Sequence, residues 1–488
     1  MADIQGYKRI NLIFFQNGPS PRGGSNLSHY CPLAIIPKKN DQTTKVLSSK
    51  NDDTPLYNVH ILVLDAVSRS QGIRFIPNTI KYLEEKMNAI HFPFFNKVAW
   101  NSWPNGDAFL VGHARPRDNI PPSIMKNLCD NQTFSKHYIG NILQKMGYLN
   151  LFNEDVYTIF EYTNVTATHK LAPLGAELKM TAKYAETKFY GDHCISGLDY
   201  NIEIFQKFID AYGISKPKFS LNWNSQTSHD QFNWFYVADE ILLKFLEKNQ
   251  KELDNSYFII MGDHGPNVGE HRFHETVARE ERNPMLYFSL PKSLRNTSKQ
   301  AKLLKANSKK LITHYDLYAT FIDVAESLGA DIPSDITFHG QSLFTSIPDG
   351  RDCRQLGISP MYCNCRYKRA PLTSKDELYQ KIIEAIFKKV NETMAPHTDK
   401  CKFPLYSPKF QPIMQQIFYP GTTKNLKIFR VIFETQPDDA RWETAVYVKF
   451  FHNSTVEIQN FRSVGNRLNP FGLRCSVELR EICFCKDS

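Results

Sequence analysis

The stretch Ser256-Tyr257-Phe258-Ile259-Ile260-Met261-Gly262-Asp263-His264-Gly265 is an apolar run that stops on a carboxylate and an imidazole. Its length and its β-branched and aromatic content predict a buried strand. In α/β enzymes such a strand fixes the backbone and projects metal ligands from its C-terminal end. A second apolar run, Val59-His60-Ile61-Leu62-Val63-Leu64, ends the same way on Asp65. A third segment, Asn101-Ser102-Trp103-Pro104-Asn105-Gly106, places a hydroxyl just before an expected helix, with Pro104 as its first helical residue. Two acids, a histidine and a hydroxyl at element ends make a constellation of metal ligands and a nucleophile.

Working outward, strands and helices alternate. Helical patterns are expected at 77–87, 136–146, 201–212, 234–247 and 314–328, and strands at 148–152, 218–223 and 285–290. This alternation predicts an α/β fold with a mostly parallel sheet and helices on both faces. Asp65, Asp155, Asp230 and Asp263 all fall at strand C-terminal ends, where such sheets form their ligand crevice. Residues 1–55 read as an irregular polar arm, 56–350 as the core and 351–488 as a Cys-rich C-terminal subdomain. The last contains a helix at 375–390 and close-set strands near 426–434, 444–451 and 456–463, an antiparallel pattern.

Each candidate has a structural alternative. Asp263 and His264 lie between Gly262 and Gly265, which suits either a metal site or plain turn chemistry. Asp65 is a metal ligand or a helix cap. Ser102 lacks a G-x-S-x-G elbow, so its nucleophilic role needs a metal to activate it; otherwise it is an N-cap serine. His229 and Asp230 of Ser228-His229-Asp230, with His271 and His274, are candidates for a second metal or for substrate contact. Arg69 and Arg272 are candidates for clamping an anionic oxygen, whereas Arg282 is expected in a structural ion pair.

The chain has 488 residues, 42% hydrophobic and 22% charged, with net charge +9. That is enough for a large α/β domain and a smaller one, with a packed core. The densest basic stretch runs from Lys292 to Lys310; it reads as a solvated surface or as a contact for a polyanionic glycan. No aromatics interleave with it, so nucleic acid is not an expected partner. Seven of the ten cysteines lie after Arg351, and the hooks Cys363-x-Cys365 and Cys483-x-Cys485 lack the zinc-site spacing, so disulfides are expected. Sequons at Asn26, Asn131, Asn164, Asn296, Asn391 and Asn453 agree with a secreted glycoprotein. The apolar run in residues 1–20 is too short for a signal-peptide core, and no run spans a bilayer. The expectation is an extracellular or lumenal protein whose leader lies outside this sequence.

Taken together, Val63-Leu64-Asp65-Ala66-Val67-Ser68-Arg69, Trp103-Pro104-Asn105, Phe152-Asn153-Glu154-Asp155, Ser228-His229-Asp230 and Met261-Gly262-Asp263-His264-Gly265 resemble the alkaline-phosphatase/sulfatase superfamily. Within it they are similar to the animal "domain of unknown function 229" family, and Glu280-Glu281-Arg282-Asn283-Pro284-Met285, Asp316-Leu317-Tyr318-Ala319-Thr320, Cys353, Cys363-Asn364-Cys365 and Cys483-Phe484-Cys485-Lys486 continue the match. The resemblance implies an αβα sandwich with a small C-terminal antiparallel sheet. It implies that Asp65, Ser102, Asp263 and His264 hold one divalent cation (zinc, manganese or magnesium) and that Ser102 is the nucleophile. The implied activity is a secreted or lumenal metal-dependent hydrolase or transferase acting on a phosphorylated small molecule, lipid or glycan. The alternatives are a catalytically inactive extracellular binding protein on the same scaffold, or a sulfatase-like hydrolase that does not use formylglycine. Relatives commonly carry threonine where Ser102 stands. Gly106 stands where formylglycine sulfatases carry arginine, and the residue four after Asp230, where a second metal would take histidine, is Trp234.

Overall fold

The computed structural model describes residues 56–113, 135–155, 167–171, 197–214, 216–229, 232–267, 274–399, 401–402, 404–419, 425–437, 439–451, 456–459, 466–467 and 484–485. The expected arm at 1–55, Asp230, His271, Arg272, Cys475, Cys483 and four of the sequons (Asn26, Asn131, Asn164, Asn453) lie outside the described residues.

The core strands are β1 (Asn58–Leu64), β2 (Ile90–His91), β3 (Phe95–Asn96), β4 (Leu149–Glu154), β5 (His169–Leu171), β6 (Lys218–Asn224), β7 (Ser256–Met261), β8 (Leu286–Ser289) and β9 (Ile312–Thr313). Seven form one sheet in the order β2-β8-β7-β1-β6-β4-β5. The five from β7 to β5 are parallel. β8 runs antiparallel to β7, and β2 antiparallel to β8. β3 and β9 make a separate parallel pair.

Why β1 and β7 are buried on both faces follows from their period-two pattern. Val59, Ile61 and Val63, with Tyr257, Ile259 and Met261, point into one core beside Phe109, Leu317 and Phe321. Leu62, Leu64, Phe258 and Ile260 point into the other, beside Phe205, Phe208, Leu242 and Phe245. Helices therefore cover both faces, since a strand apolar at every position must be sheltered twice. Each such side chain contributes about 1.5–3 kcal/mol on burial. The acids sit just past the ends of these two buried strands.

A second sheet is antiparallel, in the order Arg369–Leu372, Ile413–Ile417, Leu426–Gln436, Ala440–Phe450, Val456–Gln459. The helix Glu377–Met394 lays Tyr379, Ile382, Ile386, Val390 and Met394, spaced three or four apart, on Phe429, Val431 and Trp442. Ile417, Tyr419 and Ile428 instead pack with Val98, Ala108 and the Cys353–Cys363 disulfide. This second sheet thus backs the segment that carries Ser102. Arg282, buried and beside Glu281 and Glu443, joins the same junction, as expected of a structural arginine.

Two local expectations change. The helix begins at Ser102 itself, with Asn101 as N-cap, so Pro104 is its third residue. Proline is tolerated there because the first four N–H groups of a helix have no intrahelical partner. The basic stretch becomes the helix Lys299–Asn307, which buries Ala301 and Leu304 and exposes Lys299, Lys302 and Lys305. Arg295 is committed to a nearly buried bond with Asp254, 2.8 Å. Among the described residues no helix is long and apolar enough to cross a membrane.

Candidate metal centre and nucleophile

β1 ends at Leu64, and Asp65 is the next residue; its N–H donates to Asn224 O at the end of β6. Ala66 then turns the chain with φ +58°, an uncommon conformation for a residue with a Cβ. That turn aims the Ala66 N–H at Asp263 Oδ1, 3.0 Å away, so the ends of β1 and β7 are stitched together. Gly262 and Gly265 bracket the acid and the imidazole because nothing larger fits. A Cβ on Gly262 would lie 2.1 Å from Val67 O, and one on Gly265 would lie 2.0 Å from Glu280 O.

Ser102 reaches this corner from its helix. Its Oγ is 3.2 Å from Asp65 Oδ1 and 3.3 Å from His264 Nε2. Asn105, one turn on, holds the approach. Its Oδ1 accepts from the Val98 and Ala99 N–H groups, and its amide donates to Ala99 O and Asn101 O. Asp65, Asp263 and His264 are fully buried, and Ser102 is 8% exposed.

The proton inventory is decisive. His264 Nδ1 lies 2.7 Å from Gly265 O, an acceptor, so Nδ1 carries the proton and Nε2 presents its lone pair. Burial lowers the His264 pKa to about 4, so the ring is neutral near pH 7. Nε2 nevertheless faces Asp263 Oδ2 at 3.3 Å and Asp65 Oδ1 at 3.8 Å. Asp263 Oδ2 is buried and has no hydrogen-bond partner among the described residues. Burial, and then the charge of Asp263, raise the pKa of Asp65; burial also raises that of Asp263. Two carboxylates whose ionised forms are disfavoured by burial, an imidazole lone pair and a hydroxyl thus converge on one corner. Donor atoms of Asp65, Asp263 and His264 all lie within 4.8 Å of one another. A divalent cation fits this set, and mixed oxygen and nitrogen donors suit zinc or manganese better than magnesium.

An outer layer holds the ligands. Ser225 Oγ donates to Asp65 Oδ2 at 2.7 Å, and Trp223 Nε1 lies 3.4 Å from the same oxygen. Ser228 Oγ donates to the main-chain oxygen of Asp65 at 2.5 Å. Asp155 sits at its strand end as expected but faces the loop after β6, accepting from Asn224 Nδ2, Ser225 N and Gln226 N. Lys97, fully buried, bonds Glu281 at 2.5 Å, and its charge is felt at His264. His314 lies between Phe95 and Phe109 and against the backbones of Asp263 and Asn96; burial lowers its pKa to about 3.

Of the other candidates, His229 is half-buried at the rim, and its charge would act on both Asp65 and His264. His274 is exposed at the start of the helix Glu275–Arg282 and makes no side-chain cap bond. Arg69 faces His91 and Tyr287. Sequence reading missed Ser225, Asn105, Lys97 and His314. The available signals were a lysine inside the apolar run 91–100 and an asparagine one turn after the nucleophile; nothing local marks Ser225 or His314.

Comparisons with solved structures give low identities. The chain is similar to a protein in the alkaline phosphatase superfamily from Vibrio parahaemolyticus (14% identity, TM-score 0.44, covering 83% of this chain and 82% of that one). It is similar to the phosphonate monoester hydrolase of Agrobacterium radiobacter (9%, 0.43, 80% and 89%) and to the lipoteichoic acid synthase LtaP from Listeria monocytogenes (11%, 0.38, 68% and 83%). No curated protein matches the chain. The model of the family described as "Protein of unknown function (DUF229)" matches residues 24–407, a span that takes in Asp65, Ser102, Asp263 and His264. The chain belongs to the DUF229 family.

Proposed function

We propose that this chain is a metal-dependent hydrolase or transferase that acts on phosphate esters through Ser102. The observation that carries the reading is the convergence of Ser102 Oγ, Asp65 Oδ1, His264 Nε2 and the unpartnered Asp263 Oδ2 in a buried corner. Asp65, Asp263 and His264 would hold one divalent cation beside Ser102. Bound there, the cation supplies a lowered hydroxyl pKa and positive charge opposite the phosphoryl oxygens.

The chain's own groups do the rest. Ser102 releases its proton to solvent, and Oγ forms the new bond to phosphorus while the bond to the leaving alcohol breaks. The role of giving the leaving oxygen its proton falls to His229, which is half-buried and close enough for its charge to act on Asp65 and His264. Water or an acceptor alcohol then takes the phosphoryl group from Ser102, completing hydrolysis or transfer. Asn105 and the Ala66 turn hold Oγ and Asp263 still, which is the positioning that such chemistry depends on.

The Cys353–Cys363 disulfide supports a secretory-lumen or extracellular site of action. Gly106, where the formylglycine route takes arginine, disfavours sulfate esters. The test is turnover of aryl phosphate monoesters, aryl phosphate diesters and an aryl sulfate, with bound metal counted in the same preparations. Ser102→Ala should abolish phosphoester turnover with the fold intact. Unchanged turnover sinks the nucleophile, and sulfate turnover alone sinks the substrate class. Folded protein without metal or turnover, held on heparin in a salt-sensitive way, would instead mark a binding protein that uses the exposed Lys299, Lys302 and Lys305.

A further inference from the structure

The Ser102 helix ends beside a second group of titratable side chains. Its nine residues place Leu110 roughly 12 Å along the axis from the nucleophile, and His113 follows. His113 Nδ1 lies 3.1 Å from His339 Nε2, with the rings 82° apart and their centroids separated by 5.0 Å. The ring of His137 is centred 6.5 Å from that of His113. His137 is 3% exposed, and its Nδ1 makes no hydrogen bond among the described residues. Its Nε2 is 3.3 Å from Asp335 Oδ1, and Lys136 Nζ holds Asp335 Oδ2 at 2.7 Å. Thr337 Oγ1 lies 3.4 Å from His113 Nε2, and Tyr315 packs on the His339 ring.

We propose that His113, His339 and His137 form a second metal site, for a zinc-class divalent transition ion, separate from the Ser102 centre. With zinc–nitrogen bonds near 2.0–2.1 Å, two imidazoles on one tetrahedral ion hold their nitrogens about 3.3 Å apart and their ring centroids about 5 Å apart. The His113–His339 pair already has this spacing. His137 is not yet at ligand distance: its ring centroid is 6.5 Å from that of His113, and its side chain has to move in before its Nδ1 shares an ion with the pair. Asp335 plays the part that carboxylates play behind ligating histidines: by accepting from the Nε2–H it leaves Nδ1 of His137 with the lone pair. A donor set of imidazoles selects zinc, copper or nickel over magnesium or calcium.

The alternative is three neutral histidines packed for bulk, with a single N–H···N bond between His113 and His339. That arrangement leaves Nδ1 of the buried His137 without a partner among the described residues, at a cost of about 1–3 kcal/mol. An ion removes that cost. It also ties the end of the nucleophile helix to two segments distant in sequence, those carrying His137 and Asp335–His339.

The test uses the full chain carrying Asp263→Asn, which removes a ligand of the Ser102 centre and leaves this one intact. Metal-free protein is titrated with Co²⁺, read by the intense visible bands of tetrahedral cobalt, with folding checked by circular dichroism. One equivalent should bind. His339→Gln, at an exposed position where folding is not at stake, should weaken that binding at least tenfold; adding His113→Gln should abolish it. Zinc should raise the melting temperature of the Asp263→Asn protein but not of Asp263→Asn/His339→Gln. Absence of cobalt binding in folded Asp263→Asn protein would overturn the proposal, as would binding indifferent to His339→Gln. Either result leaves the Ser102 centre untouched, because that centre is read by the metal lost between wild type and Asp263→Asn.

Discussion

Replacing Gly265 by alanine tests whether the turn after His264 sets the metal centre. The new Cβ would sit 2.0 Å from Glu280 O, 2.6 Å from Glu280 C and 2.9 Å from Glu281 Cα, all backbone atoms that cannot swing aside. Cβ contacts under 3.0 Å are essentially never seen, so the turn and the helix Glu275–Arg282 must part by about 1 Å. Two bonds stretch with them. Gly265 N donates to Glu281 O at 2.9 Å, and Gly265 O accepts from His264 Nδ1 at 2.7 Å. Overpacking of this kind costs about 1–3 kcal/mol. Losing the partner that orients a ligating imidazole weakens metal binding about 10–100-fold. The assay is competition for zinc against a coloured chelator, beside a thermal melt. Gly350→Ala is the control: nothing lies within 4 Å of its Cβ, and its φ of +72° costs about 1–2 kcal/mol of left-handed strain. It should melt lower yet bind zinc like the parent. If Gly265→Ala kept parental zinc affinity, the Gly265 carbonyl would not be what orients His264, and the tautomer reasoning would fail with it.

Further outcomes follow from the same geometry. Ser225→Ala removes the 2.7 Å donor to Asp65 Oδ2 and should lower phosphoester turnover about tenfold while Ser102 stays in place; parental turnover would show that Asp65 needs no such support. Lys97→Met takes the bonded ammonium from Glu281 while the charge of Arg282 stays beside it, and should destabilise the fold by about 1.5–3 kcal/mol in urea melts; a change under about 0.5 kcal/mol refutes a net contribution of the buried pair. His314 has its pKa lowered to about 3, against an ordinary value of 6.5. The unfolded chain therefore takes up this proton first as pH falls, so the stability is present in full above about 6.5 and drains away below it. His314→Phe should flatten the fall in melting temperature between pH 7 and pH 5; an unchanged slope would assign that fall to other groups. Cys353→Ser opens the disulfide to Cys363 and should cost about 2–3 kcal/mol, with wild type showing the same loss in reductant.

Much of this was present in the sequence because it is local. A strand buried on both faces has to be apolar at every position, so Val59–Leu64 and Tyr257–Met261 declare themselves, and the acids that end them follow directly. Gly262 and Gly265 are legible as close-approach positions, although what approaches them (Val67 O and Glu280 O) is far away in the chain. The helix after Ser102 was expected two residues late, because proline in a first turn marks the start only approximately. His274 is exposed at the start of the helix Glu275–Arg282, and the charge of Arg69 acts on His91 and Tyr287; nearness in sequence to the ligands did not foretell either setting.

What tertiary structure alone decided is which groups share a proton and which are left without one. Parallel pairing of β1 with β7 and of β1 with β6 brings Asp65, Asp263 and Ser225 to one edge from positions some two hundred residues apart. The same packing brings His113, His137 and His339 near one another from three separate segments. Neither gathering has a periodic signature, because each depends on strand order and helix length rather than on spacing along the chain. Hydrophobic pattern is a short-range property and was readable in advance; the meeting of lone pairs at a metal centre is a long-range one, and only the closed fold fixes it.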